Sequence, residues 1–408
     1  MSVATKHADA PSPRTGYSHA AKTAVQETTL RVKEMHRAIA GKSFGILRRI
    51  PLVAGPAQVV QSAHDVISAA VYAAIHHGSG GLLAAAAIVE KQRTGFSASK
   101  PPGRLVSGLR SALNAAFGDH LAASNNVLAI DMAIHANGAA IPLDVVALRS
   151  DFPEAGGRLC IFIHGLGCDE HSWRTGDAAA EGETDFGSQL HAEFDYTPLY
   201  LHYNSGLPIA RNCAQLALLL EELLDAWPWP VTDLLIVGHS MGGLLALGAC
   251  ERAATSGLRW PQATRMLVSL GSPQLGSPLE RLGHLTTAAL NLSNITTPLA
   301  RIAARRSQGI KDLRGGPGAA QTVSGQHRIA FRFLGASLAE DPDHPLGEFL
   351  GDGLVTLSSA TAHAIEGDVQ SARLGKLGHM RLLGDARVYQ QIRAWLVELG
   401  DAALPDRR

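Results

Sequence analysis

From about residue 126 onward, short continuous apolar runs alternate with longer segments whose apolar positions recur every three to four residues. RLCIFIHG (158–165), TPLYLHYN (197–204), DLLIVGHS (233–240), RMLVSLGSP (265–273) and RIAFRFLGASL (328–338) are of the first kind and predict strands. RNCAQLALLLEELLDAW (211–227), MGGLLALGACERAA (241–254) and ARVYQQIRAWLVEL (386–399) are of the second kind and predict helices. Strands that are apolar on both sides must be covered on both faces, so the alternation predicts an α/β fold around a mostly parallel sheet. Ahead of it, NVLAIDMAIHANGAAIPLDVVAL (126–148) reads as two strands around Asn137-Gly138, a strong hairpin dipeptide.

The first 125 residues have a different texture. Residues 1–26 carry scattered Pro, Ser and Thr and read as a disordered tail. Residues 27–125 read as a helical module, with Leu30, Val32, Met35 and Ile39 roughly on one face and Leu105, Leu109 and Leu113 spaced by four. The expected organisation is therefore tail (1–26), helical module (27–125), α/β domain (126–400) and C-terminal tail (401–408). Within the α/β domain, 272–328 contains LERLGHLTTAALNLSNITTPLARIAARR, helical and apolar, which reads as a lid or a packed cap.

Composition narrows the function. Basic and acidic side chains number 36 each, so net charge makes no case for nucleic acid. The balance hides an asymmetry: residues 1–150 hold 15 basic and 8 acidic groups, the remainder 21 and 28. Two regions with different surfaces are expected, docking on each other or on a partner, with homo-oligomerisation through the N-terminal helices open. Cys160, Cys168, Cys213 and Cys250 form no C-x-x-C pair and no disulfide framework. The polar N-terminus has no secretory core, and LLAAAAIV (82–89) is too short to span a bilayer, so a cytoplasmic protein with at most weak membrane contact is expected. His76-His77 lacks companions at ligand spacing, and no metal or other cofactor is expected.

The chemistry concentrates in Gly238-His239-Ser240-Met241-Gly242, a G-x-S-x-G between an apolar strand and an Ala/Leu/Gly helix, followed by Gly243. A serine on such a tight strand-to-helix turn is lifted clear of the sheet, with the helix N-terminus aimed at a developing oxyanion. Upstream, Ile161-Phe162-Ile163-His164-Gly165-Leu166-Gly167 is a strand running into an HG turn. His164 to Asp169 also fits an H-x-x-x-x-D spacing, which is read as coincidence.

With these motifs the chain resembles α/β-hydrolases of the serine esterase/lipase type over roughly 125–400. HGLG (164–167), GHSMGG (238–243) and LGSPQLGSP (270–278) further resemble bacterial lipase-like hydrolases related to the GPI inositol-deacylase group. The resemblance implies the α/β-hydrolase fold and a triad in the order Ser, acid, His. It places the oxyanion donors at the backbone N–H groups of Leu166 and Met241. His164, Gly165, Gly167, Gly238, His239, Gly242 and Gly243 would then form the supporting turns. Gly351-Asp352-Gly353-Leu354-Val355 resembles the D-G-x-V segment that carries the acid, whereas Asp341 and Asp343 read as a solvated turn. His379, just ahead of the closing helix, is the expected base over His344 and His363. The expected activity is carboxylic-ester hydrolysis on a small-molecule ester or lipid. The alternatives are an acyltransferase or thioesterase on lipid or coenzyme A esters, or a non-catalytic protein that binds partners through its N-terminal helices.

Overall fold

The computed structural model describes residues 104–123, 125–126, 128–136, 138–174, 185–276, 307–315, 329–361, 365 and 367–400. The tails, most of the expected helical module, His363 and residues 277–306 and 316–328 of the expected lid or cap lie outside the described residues. Pro101–His120 and Ile130–Arg408 form one compact unit, which holds the sheet and the site.

In chain order the elements are α1 (Arg104–Ala123), β1 (Ala133–Ala136), β2 (Ala139–Ala140), α2 (Val145–Asp151), β3 (Arg158–Ile163), α3 (Phe186–Phe194) and β4 (Thr197–His202). They continue with α4 (Ile209–Ala226), β5 (Asp233–His239), α5 (Met241–Ser256), α6 (Trp260–Ala263), β6 (Thr264–Leu270), α7 (Gln308–Gly315) and β7 (Ala330–Ala336). Then come α8 (Pro345–Leu350), α9 (Leu357–Thr361), β8 (Val369–Leu374) and α10 (Ala386–Glu398). The eight strands form one sheet in the order β2-β1-β4-β3-β5-β6-β7-β8. β1 runs antiparallel to its neighbours β2 and β4, and β4-β3-β5-β6-β7-β8 are all parallel.

The period-two alternation of the strands sorts their side chains to two cores. Leu159, Ile161 and Ile163 of β3, with Leu234 and Ile236 of β5, pack against Leu216 and Leu220 of α4, Leu244 of α5 and Ile310 of α7. Cys160, Phe162, Leu235 and Val237 face the other way, against Phe186, Leu190 and Phe194 of α3 and Val388, Ile392 and Trp395 of α10. All of these strand residues are fully buried, each Leu or Ile contributing roughly 1.5–3 kcal/mol. Burial on both faces is why these strands read as unbroken apolar runs.

Two expectations change. The hairpin forms at Gly138 (φ 81), but it is only four plus two residues long, and VVAL (145–148) is helical, not extended. Asp144 decides this: its carboxylate accepts from the N–H groups of Val146 and Ala147, capping α2, while Val145 and Val146 stay exposed. β8, VQSARL, has no apolar run because it is a half-exposed edge strand, and the apolar pattern did not predict it. The four cysteines are free and buried. No described helix is long and apolar enough to cross a membrane.

Candidate active site

The chain leaves β3 toward β4 on one side and leaves β5 toward β6 on the other, so the strand order reverses at the β3/β5 pair. The carboxyl ends of strands at such a reversal leave a crevice. The two glycine-rich segments are the turns that open there.

Ser240 caps β5 with φ 55 and ψ −121, a conformation that side chains adopt only under constraint. The constraint is backbone approach. A Cβ on Gly242 would stand 2.2 Å from Ile163 O, and one on Gly238 would stand 2.6 Å from the backbone of Gly243. Only glycine lets α5 start this close to β3 and to its own strand. Ser240 N–H donates to Leu270 O (2.8 Å), fixing the turn to β6. The Ser240 hydroxyl is buried, and Oγ has no hydrogen-bond partner among the described residues.

Asp352 and His379 come together. His379 Nδ1–H donates to Asp352 Oδ2 (2.7 Å), with both side chains almost wholly buried. The other carboxylate oxygen accepts from Leu354 N–H (2.9 Å) and Val355 N–H (2.8 Å), so the acid cannot swing away. The loops after β7 and β8 are laced together by main-chain bonds from His379 N–H to Asp352 O (3.0 Å), Leu377 N–H to Ser337 O (2.8 Å) and Lys376 N–H to Ala339 O (2.7 Å). With its proton on Nδ1, His379 presents the Nε2 lone pair, which is buried and without a partner among the described residues. The buried Nε2 and the buried Ser240 hydroxyl are not hydrogen-bonded to each other in this structure, and each is left without a partner among the described residues, as an acceptor and a donor reserved for proton transfer would be.

His239 joins this pair to the elbow. Its Nε2–H donates to His379 O (3.1 Å), and its ring centroid lies 4.7 Å from that of His379. Burial, then the neighbouring His379, holds His239 well below the usual histidine range, so it is a neutral brace. His164, the residue after β3, is fully buried and stacked on Tyr203 at 4.4 Å, with Nδ1–H donating to Gly165 O (2.8 Å). Burial, with His202 adding, lowers it to about 4. Gly167, at φ 71, donates to Ser205 Oγ (3.0 Å). A Cβ on Gly165 would lie 3.0 Å from Ser240 Cβ, so the Leu166 turn is packed directly on the elbow. Met241 is the first residue of α5, where N–H groups have no acceptor four residues back.

The rejected alternatives are occupied elsewhere. Asp341 Oδ1 accepts from Asp343 N–H in an exposed turn, and His344 caps α8 through Nδ1. Sequence reading did not anticipate the main-chain lacing, which involves no motif. It also missed a second serine–histidine–carboxylate contact: Ser111 Oγ lies 3.5 Å from His202 Nε2, whose Nδ1 is 3.0 Å from Glu170. Ser111 sits inside α1, with no turn to raise its hydroxyl, so this contact lacks the elbow of a nucleophile.

The strand order, the antiparallel strand near one edge and the sharp strand-to-helix turn after β5 define the α/β-hydrolase fold. No family model and no curated protein matches the sequence. Among solved structures, the mature lipase BlEst2 of Bacillus licheniformis is 17% identical with a TM-score of 0.40, covering 59% of this chain and 91% of that one. A lipase-esterase related protein of Clostridium acetobutylicum is 13% identical with a TM-score of 0.34, covering 59% and 94%. The NocB thioesterase domain is 14% identical with a TM-score of 0.37, covering 61% and 97%. The fold assignment stands on the strand order and the elbow, not on these likenesses, and they do not bear on the narrower likeness to the GPI inositol-deacylase group.

Proposed function

We propose that the protein is a serine hydrolase of carboxylic esters, with Ser240 as nucleophile, His379 as base and Asp352 as its orienting acid. The observation that carries this reading is the buried 2.7 Å bond from His379 to Asp352, joined through His239 to the turn that holds Ser240 at φ 55. His379 Nε2 takes the Ser240 proton as Oγ attacks the ester carbonyl. Asp352 stabilises the resulting imidazolium. The carbonyl oxygen becomes an anion facing the Leu166 and Met241 N–H groups, each such donor being worth roughly 3–4 kcal/mol. His379 then returns the proton to the leaving alcohol, and water repeats the sequence on the acyl-enzyme, releasing the acid.

Leu338, which lies over Gly353 and Gly378, is exposed, as are Met380 beside His379 and Leu275 after β6. These apolar surfaces around the acid and histidine loops support a substrate with an apolar acyl or alcohol portion. The test is intact-mass analysis after treatment with a fluorophosphonate. A single adduct on wild type and none on Ser240→Ala is expected; an adduct on both, or on neither folded protein, overturns the assignment. An ester and thioester panel of graded acyl length, run on the reactive protein, then separates ester from thioester preference.

A further inference from the structure

Thirty-five residues before Glu170, β1 contributes a histidine that reaches its carboxylate, and β4 contributes another. His135 Nδ1 lies 2.8 Å from Glu170 Oε1, and His202 Nδ1 lies 3.0 Å from Glu170 Oε2. The three donor atoms all fall within 4.8 Å of one another. The sheet register explains how: His135 pairs with Tyr200, so His202, two residues on, shares its face. Glu170 opens the 3-10 turn Glu170–Arg174 that follows the Leu166 loop. We propose that His135, Glu170 and His202 bind a divalent transition metal of the zinc class, and that this metal clamps the segment after β3 to β1 and β4.

The polar accounting points to a ligand. Glu170 is 6% exposed and His202 5%. Glu170 Oε2 and His202 Nδ1 stand 3.0 Å apart as an ion pair, but out of line for a well-directed N–H···O bond, and neither has another hydrogen-bond partner among the described residues. A proton on Nδ1 satisfies the pair only if Oε2 lies along the N–H axis. A cation on that axis accepts Oε2 from the side. His202 Nε2 faces Ser111 Oγ at 3.5 Å, the outer contact that leaves Nδ1 free to ligate. Two imidazoles and one carboxylate are a donor set suited to zinc, with a fourth position left open. His171 Nδ1, without a hydrogen-bond partner among the described residues, lies 3.6 Å from Asp169 Oδ2 and 3.8 Å from Glu170 Oε1. A small pocket lined by His135, Gly138, Glu170, His171, Arg174 and Tyr200 opens onto two of the three ligands, His135 and Glu170.

The consequence is local order near the catalytic turn. The His202 ring lies 6.0 Å from that of His164, which is bonded to Gly165 O beside Leu166. Binding itself does not depend on the hydrolase reading, so its readouts are independent of turnover.

The experiment uses the full chain, stripped with a chelator and titrated with Co²⁺ and then Zn²⁺. Wild type is expected to take up one Co²⁺ with the intense visible absorption of tetrahedral coordination, to lose it to one Zn²⁺, and to melt at a higher temperature with Zn²⁺. His135→Ala and Glu170→Gln should each lose the absorption and the thermal shift with circular dichroism unchanged, while His344→Ala keeps both. Undiminished uptake in both variants, or no stoichiometric uptake by wild type, overturns the proposal. Should the variants fail to fold, X-ray absorption on wild-type zinc protein decides: two imidazole ligands support the site, and one or none overturns it.

Discussion

Ser240 carries the backbone strain of the site, and the catalytic roles proposed for it and its neighbours can each be tested alone. Asp352→Asn keeps the Oδ1 acceptor that Leu354 and Val355 N–H need, so the loop stays folded. It replaces Oδ2 with an amide donor opposite His379 Nδ1, which drives the imidazole to the wrong tautomer. We expect kcat to fall by about 10⁴-fold with little change in melting temperature. Ser240→Ala is expected to lose at least as much, again without unfolding. Steady-state kinetics beside thermal melts check both; retention of more than a tenth of wild-type kcat in Asp352→Asn would remove the acid from the triad. Ser240, Asp352 and His379 were legible because each sits in a local motif or beside a recognisable element. The His135, Glu170 and His202 cluster was not, because 35 residues separate His135 from Glu170 and only strand register brings them together.

At the scale of elements, the elbow exists because β3, β5 and α5 approach to backbone contact. Gly242→Ala places a methyl group 2.2 Å from Ile163 O, and backbone cannot yield as a flexible side chain can. A loss of about 1–3 kcal/mol or more is expected, read as a lower urea midpoint. Gly156→Ala, where nothing lies within 4 Å of the added carbon, serves as the neutral comparison. Equal midpoints for the two variants would refute the close-approach account. The same packing decides which elements could be read in advance. β3, β5, β6 and β7, buried on both faces, announce themselves as apolar runs, and α4, α5 and α10 show a helical apolar face. α2 was hidden because a single capping carboxylate outweighs the strand preference of Val145 and Val146. α8 and α9 span only six and five residues, too few for a periodic pattern to register.

For the whole molecule, the reversal of strand order at β3/β5 buries a row of imidazoles at the sheet's carboxyl end, and this sets a pH dependence. His239 is held neutral by burial first and by His379 second. The titratable groups that face it are His379, 4.7 Å away between ring centroids, and His164, itself lowered to about 4. Because the folded-state value lies below the unfolded one near 6.5, the unfolded chain binds the proton that the folded chain refuses. Stability is therefore complete above pH 6.5 and declines on acidification, by about 1.4 kcal/mol per pH unit for each such histidine. His164 titrates in the same sense, so removing His239 alone should take away part of the slope. His239→Gln retains an N–H able to donate to His379 O while abolishing the titration. Urea unfolding at pH 7, 6 and 5 should give a shallower decline for His239→Gln than for wild type, the difference approaching one proton. Parallel declines would mean that the imidazole of His239 takes its proton in the folded protein, and that the elbow tolerates a charge between Gly165 and His379.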